Sequence, residues 1–214
     1  MTTPAKGGLL LRTPASIGEA VLDLAAQIRP GAAPIYLRIL PEIDAEPLSC
    51  FENVARKVAR DGGRCQFGWA LWVWPGVFIE AEHHAVYAPA SGEPLRDITP
   101  SATPAKRRLF LPDDTATYDP ADPRSRRDNI RSPLSKDPLV ADVFTGAQAR
   151  TDAWRRDGAE RPHDGFAQLQ AAEFSQVYAQ QKLGLSHTNP NARCFCGSGK
   201  RMKRCHGAAR RTGT

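Results

Sequence analysis

Four side chains near the C-terminus have the types and the spacing of a metal site. Cys194 and Cys196 form one pair, Cys205 and His206 form a second, and eight residues separate the pairs. Zinc is held tetrahedrally by thiolate and imidazole ligands, and two ligand pairs joined by a short loop suit that geometry. The sequence therefore predicts a structural Zn²⁺ with no position open for catalysis, and iron is the alternative metal for such thiolates.

The residues around these ligands favour a folded, metal-dependent hook. Gly197 and Gly199 allow a tight bend beside the first ligand pair. So small a segment has little apolar surface, so that the metal must provide its folding energy. A disordered tail with coincidental cysteines is the alternative. The segment 193–207, with its Cys-x-Cys, its Gly-Ser-Gly-Lys run and its Cys-His ending, resembles the SEC-C motif, a zinc-binding element. The resemblance implies docking onto a protein partner or the ribosome.

Charge is unevenly distributed along the chain. From residue 190 onward there are seven basic residues and no acidic ones, whereas the rest carries 22 basic and 23 acidic residues. We therefore expect the tail to be the basic surface, and an acidic protein or the ribosome to be its partner. Direct binding of nucleic acid is the alternative, although Phe195 alone is available for stacking. The cations expected to contact the partner are Lys200, Arg201, Lys203 and Arg204.

Cys50 is a candidate nucleophile in the first part of the chain. Ser49 and Glu52 have the spacing of a capping box, in which the serine caps a helix and the glutamate reaches back. The cysteine would then occupy the first turn, where the partial positive charge of the helix stabilises a thiolate. The alternative is that Cys50 is structural, a small buried apolar residue, as lone cysteines on helices commonly are.

A histidine and a carboxylate that could complete the site lie on two later strands. If residues 88–93 form a loop that pairs Tyr87 with Pro94, His84 falls opposite Asp97 and on the same face. His83 would then point to the other face. We predict His84 as the general base and Asp97 as the group that orients it. A slip of one residue would reverse the choice of histidine, and an ordinary surface histidine and a turn aspartate are the alternatives.

The order of these residues, from a cysteine at a helix start to a histidine and an aspartate on successive strands, resembles the core of transglutaminase-like and papain-like cysteine enzymes. The resemblance covers roughly residues 49–99. It implies amide hydrolysis or acyl transfer, with Cys50 as nucleophile, His84 as base and Asp97 as orienting acid. A non-catalytic adaptor that uses the basic tail on nucleic acid or the ribosome is the alternative function.

Composition limits the class of protein. The 214 residues allow one well-buried domain and an appendage. Five cysteines are an odd number, and three crowd near the end, which favours a metal in a reducing compartment over a disulfide framework. No apolar run reaches membrane-spanning length, and the start lacks a secretory signal. We expect a cytoplasmic protein that binds no membrane.

The elements that must position these residues form an α+β fold. Apolar periodicity predicts helices over 15–28, 50–60 and 166–183, and a further helix that begins at Asp137-Pro138. A small antiparallel β-meander is expected from strands at 67–74, 77–87 and 95–99, with additional strands at 34–40 and 108–111. We divide the chain into an α+β body (1–185), a linker (186–192), the SEC-C zinc hook (193–207) and a basic tail (208–214).

Overall fold

The structure is a computed structural model that describes residues 11–101, 105–122, 125–157, 191 and 200–204. It divides into two compact units. One comprises Arg12–Val73 and Ile79–Ser132, and it contains all the residues predicted for the thiol site. The other comprises Met1–Leu11, Trp74–Phe78 and Pro133–Thr214. The predicted helix over 166–183, the linker and the ligands of the zinc hook lie outside the described residues.

Most predicted elements are present. In chain order they are α1 (Glu19–Ile28), β1 (Ile35–Ile39), α2 (Cys50–Asp61), β2 (Arg64–Trp74), β3 (Phe78–Ala88), β4 (Arg96–Asp97), β5 (Arg107–Pro112), β6 (Ile130–Pro133) and α3 (Pro138–Asp157). Helix α1 begins four residues later than periodicity predicted, and β4 is shorter than its predicted strand. A single 3₁₀ turn follows at Met202–Arg204.

The α+β class is confirmed, but the sheet is not a simple antiparallel meander. Its strand order is β2-β5-β1-β4-β3-β6, and β2 also pairs with β3, so that five strands close into a barrel. Strands β1 and β4 run parallel, whereas β5 is antiparallel to both β1 and β2. The predicted all-antiparallel sheet is therefore wrong. The connection from β1 to β4 runs through α2, β2 and β3 and returns the chain in the direction of β1, as parallel strands require.

The register sorts the barrel side chains onto two faces. On one face, residues of β2, β3 and β5 pack with α1 in a cluster that includes Leu24, Trp69, Ile79 and Leu109. On the same face α2 adds a second cluster, in which Phe51 and Val54 pack with Ala85, Tyr87 and Ile98. The opposite face contributes Leu37, Val86 and Phe110. Both faces are buried over most of the barrel, and ten of the eleven residues of β3 are buried.

Helix α3 belongs to the other unit and starts where the sequence predicts. The backbone N–H of Leu139 donates to Asp137 Oδ1 at 3.0 Å, which is the expected aspartate cap. Phe144 packs edge-on against Phe78, with ring centroids 5.5 Å apart. The helix continues well past Phe144 to Asp157. None of the helices in the described ranges has the length and apolar character needed to cross a bilayer.

Candidate thiol site

Cys50 is the first residue of α2, as predicted, and its side chain is buried with 4% exposure. Ser49 is the N-cap residue, but its side chain makes no hydrogen bond to the first turn, so the predicted capping box is wrong. Helix α2 is tied instead through Asn53, whose amide exchanges hydrogen bonds with both backbone groups of Glu46. The first-turn N–H groups near the thiol therefore keep their donor capacity.

The backbone just before α2 has an unusual conformation. Leu48 has φ of 66°, in the left-handed region that branched side chains rarely adopt. It is the only non-glycine residue with positive φ among the described residues. Such strain persists only where the surroundings impose it, and it is concentrated at functional sites. Here it lies two residues before the cysteine and directs the chain into the helix.

His84 and Asp97 meet, although not through the predicted register. Tyr87 pairs with Arg96 and not with Pro94, so the ladder is shifted by two residues. Because side chains alternate with a period of two, this shift leaves His84 and Asp97 on one face as diagonal neighbours. The Nε2–H of His84 donates to Asp97 Oδ2 at 3.1 Å. His84 therefore meets Asp97 as predicted, although the predicted pairing was wrong.

Cys50 lies close enough to His84 for its charge to act on the ring, so that the three predicted residues converge. Burial by itself lowers the pKa of His84. The charges of Cys50 and Asp97 and the hydrogen bond to Asp97 raise it further than burial lowers it, to about 10. The imidazole therefore holds a proton at neutral pH beside the thiol. Because Nε2 is engaged by Asp97, Nδ1 is the nitrogen available to exchange a proton with the sulfur.

Asp97 is fully buried and held from three sides. Oδ2 accepts from Arg108 Nε as well as from His84, and Oδ1 accepts the backbone N–H of Thr99 at 2.9 Å. Burial raises the pKa of Asp97, but the charges of His84 and Arg108 and the hydrogen bonds hold it below its usual value. The Nδ2 of Asn53 donates to Thr99 Oγ1 at 3.2 Å, which links this carboxylate strand to α2.

Arg108 is the member of the site that sequence reasoning missed. It is 4% exposed, and its guanidinium lies 4.8 Å over the ring of Trp72. With this residue the buried row alternates in sign, from arginine to aspartate, histidine and cysteine. The sequence of β5 did indicate a buried arginine. Side chains alternate along a strand, so Arg108 lies on the face opposite to Leu109 and shares its face with Phe110. A charge on a fully buried strand usually has a buried partner.

His83 and Cys65 have purely structural surroundings. His83 Nε2 donates to the carbonyl of Ala116 at 2.8 Å, and Nδ1 accepts the N–H of Arg127 at 3.0 Å. Burial lowers the pKa of His83, so that its ring is neutral. Burial, with the nearby Cys50 charge, raises the pKa of Cys65 to about 12. Cys65 packs at the edge of the α2 cluster.

An aromatic cover lies beside Cys50. Tyr118 packs on the same cluster as the cysteine, and its ring stacks on Phe51 with centroids 4.2 Å apart. Arg126 lies over the other aromatic neighbour, with its guanidinium 5.9 Å from the Phe51 ring.

The predicted metal ligands cannot be placed in the same way. Cys194, Cys196, Cys205 and His206 lie outside the described residues. Within the described ranges, no cluster of three or more histidine, cysteine or acidic side chains could hold a metal. The predicted contact residues Lys200, Arg201, Lys203 and Arg204 are described, and all four are exposed.

Comparison with known proteins gives no relative for this arrangement: no protein-family model, curated protein or solved structure matches the chain. The geometry of its own residues must therefore carry any functional assignment.

Proposed function

We propose that this protein is a cysteine-dependent enzyme that hydrolyses amides or transfers acyl groups. One observation carries the proposal: His84 lies beside Cys50, at the first turn of a helix, and bonds to the carboxylate of Asp97. A nucleophile, a base and a group that orients the base are the elements of covalent acyl transfer. The likeness of this order of residues to transglutaminase-like and papain-like enzymes is part of the proposal.

The first half of the reaction would use the proton shared by Cys50 and His84. With the proton of the Cys50–His84 pair on His84 Nδ1, Cys50 Sγ attacks the carbonyl carbon of the substrate. Negative charge then develops on the carbonyl oxygen, where first-turn N–H groups of α2 can donate because no Ser49 side chain occupies them. His84 returns the proton to the leaving nitrogen, the C–N bond breaks, and a thioester forms on Cys50.

The second half releases the acyl group. His84 takes a proton from water or from an amine acceptor, and the acceptor attacks the thioester carbonyl. The C–S bond breaks and the thiolate is regenerated. Throughout, Asp97 would hold the Nε2–H of His84, while Arg108 keeps that carboxylate ionised and in place. Residues around Tyr118 would exclude water until substrate enters.

Trapping the thioester tests the proposal. The purified full chain is incubated with p-nitrophenyl acetate, and the acetylated peptide is located by mass spectrometry. We expect a single acetyl group on Cys50, lost in Cys50→Ala and retained in Cys65→Ala. The two cysteines are a matched pair, because Cys65 packs on the same cluster without a histidine partner. Acetylation of Cys65 alone, or of neither cysteine, would rule the mechanism out.

We further propose that the C-terminal SEC-C-like hook binds Zn²⁺ and docks onto an acidic protein surface or the ribosome. Three thiols and an imidazole fit tetrahedral zinc, and Cys194, Cys196, Cys205 and His206 would hold it in a purely structural role. The exposed cations of the hook support docking. The alternative is an adaptor without chemistry, whose tail binds nucleic acid.

Metal content tests the hook separately from the thiol site. Full-length protein purified without added metal should contain about one zinc per chain by atomic absorption. Cys205→Ser should lose the metal, whereas the control Cys65→Ser should keep it. Metal-free wild-type protein that also fails to take up added Zn²⁺ would overturn this part of the proposal and leave the thiol site untouched.

A further inference from the structure

A row of three arginines crosses neighbouring strands of the barrel. The register pairs Arg38 of β1 with Arg96 of β4 on one side and with Arg107 of β5 on the other. Paired residues share a face, so the three side chains leave the sheet together. Since neighbouring strands lie roughly 4.8 Å apart, the row spans about 10 Å. The near-neutral sum of charges before the tail does not reveal this concentration.

The row carries positive charge that the protein does little to neutralise. Like charges placed directly opposite each other destabilise a sheet. Arg38 is exposed and Arg107 is exposed, and neither has an acidic partner within the described ranges. Arg96 pairs with Glu93 at 3.0 Å, but that carboxylate is 59% exposed and on the same short loop, so the pair is weak. The arginine row therefore favours the binding of an anionic ligand.

Two tyrosines hold the outer arginines in place. The Arg107 guanidinium lies 4.0 Å from the ring centre of Tyr36, and that of Arg96 lies 5.3 Å from the ring centre of Tyr87. Both rings are fixed through their hydroxyls, which donate to the carbonyls of Pro14 and Gly62 at 2.9 Å. A stacked guanidinium keeps its N–H edges available for planar, two-pronged recognition of oxyanions. Arg107 uses one edge group on the carbonyl of Ala15.

We propose that this arginine row binds the phosphates of a single-stranded nucleic acid. Three cations within about 10 Å match a phosphodiester strand, whose backbone carries one negative charge at every nucleotide. An extended acidic peptide turns alternate side chains to opposite faces, so that only every second carboxylate could face the row. The row is distinct from the thiol site, since its side chains occupy the face opposite to His84, Asp97 and Arg108.

Salt-dependent binding of a fluorescein-labelled oligouridine RNA, followed by anisotropy, tests the row. The full chain should bind it, with log Kd depending linearly on log salt. In the triple variant R38Q/R96Q/R107Q the salt slope should fall by about 2, since each phosphate contact on a single strand contributes about 0.7. Affinity at low salt should fall about tenfold or more. Arg38→Glu alone should weaken binding without loss of folding, because Arg38 has no ion-pair partner among the residues that the structure describes.

Two controls separate the row from other cations. Arg64→Gln removes one exposed arginine of β2 and should leave affinity within about twofold, as expected for a charge that contacts no phosphate. A variant with Lys200, Arg201, Lys203 and Arg204 all changed to Gln tests the tail. If the tail variant loses all the salt dependence of RNA binding while the triple variant binds the RNA like the wild type, the proposal is wrong. It is equally wrong if the triple variant loses binding to poly-glutamate but retains binding to the RNA.

Discussion

The surroundings of His83 and of His84 differ more than those of most neighbouring residues in a strand. Both rings are buried; backbone groups bond to both nitrogens of His83, whereas Nε2 of His84 bonds to Asp97. His83 is bounded by a backbone carbonyl, a backbone N–H and the rings of Phe51 and Trp69. His84 is bounded by a thiol and a carboxylate. Burial lowers the pKa of the first, whereas acidic partners raise that of the second to about 10.

The difference shows that the charges of its partners, and not burial, decide what a buried histidine can do. A ring held between a carbonyl acceptor and an amide donor is locked in one neutral tautomer, and it can neither take nor give a proton without breaking a bond. A ring held between a carboxylate and a thiol can pass a proton between Nδ1 and sulfur while Nε2 stays fixed. One residue step along β3 separates the two roles.

The strongest way to break this contrast is to remove the charge of Asp97. In Asp97→Asn the buried guanidinium of Arg108 loses its carboxylate, and we expect the free energy of unfolding to fall by about 3–5 kcal/mol. Urea denaturation measures the loss. Asp113→Asn is the matched control, since its carboxylate is also buried but pairs with Arg29, whose side chain is 39% exposed and can turn to water. Equal losses in the two variants would contradict the buried alternating row.

Replacing each histidine in turn sharpens the contrast between the two rings. His84→Gln removes the cationic neighbour of the thiol, so alkylation of Cys50 by iodoacetamide at pH 6.5 should slow about tenfold or more. His83→Gln should change the rate less than twofold and instead cost about 1–3 kcal/mol of stability, because buried backbone groups lose their partner. Rates are read from the mass of the Cys50 peptide.

A result in which both variants react alike would remove the special role of His84. Slow alkylation in the wild type would not by itself decide the matter, because Tyr118 packs beside Cys50. Adding Tyr118→Ala to the wild type and to His84→Gln separates the effect of access to Cys50 from the effect of its ionisation. Opening the site should accelerate the wild type and His84→Gln by the same factor, and the ratio between them should therefore persist.

The sequence predicted the site better than it predicted the sheet. The helix start at Cys50 followed from local signals that need no tertiary information, although Ser49 does not cap with its side chain. The choice of His84 survived a register error because strand faces repeat every two residues. By contrast, nothing local indicates that β1 pairs in parallel with β4 or that β2 also pairs with β3, since both pairings join segments distant in the chain.

Arg108 and the arginine row both depend on the strand register, which the sequence alone did not predict. Arg107 and Arg108 are neighbours in the chain, and only the strand register tells which is buried with Asp97 and which joins Arg38. In the amino-acid composition, Arg107 and Arg108 each count as one positive charge and cannot be distinguished. Their contributions to a buried ion pair and to an exposed basic surface appear only when pairing partners are known.

The pH dependence of stability gives the smallest but most direct comparison of the two rings. The pKa of His84 is raised from 6.5 to about 10, so the folded state binds its proton more tightly than the unfolded state does. The contribution of His84 to the free energy of unfolding is complete below pH 6.5 and is lost as pH rises toward 10. The pKa of His83 is lowered from 6.5, so its contribution is lost as pH falls below 6.5.

The two variants should therefore depart from wild type at opposite ends of the pH scale. The difference in unfolding free energy between wild type and His84→Gln should shrink as pH rises from 7 to 10, with a slope of at most about 1.4 kcal/mol per pH unit. The difference for His83→Gln should shrink as pH falls from 7 to 5. In Cys50→Ala, the ring resonance of His84 should titrate at lower pH, because one of the two charges that hold its proton is gone, while that of His83 stays unchanged. If the His84 resonance titrates near 6.5 in the wild type, the imidazole is not paired with thiolate and carboxylate, and the two rings are equivalent.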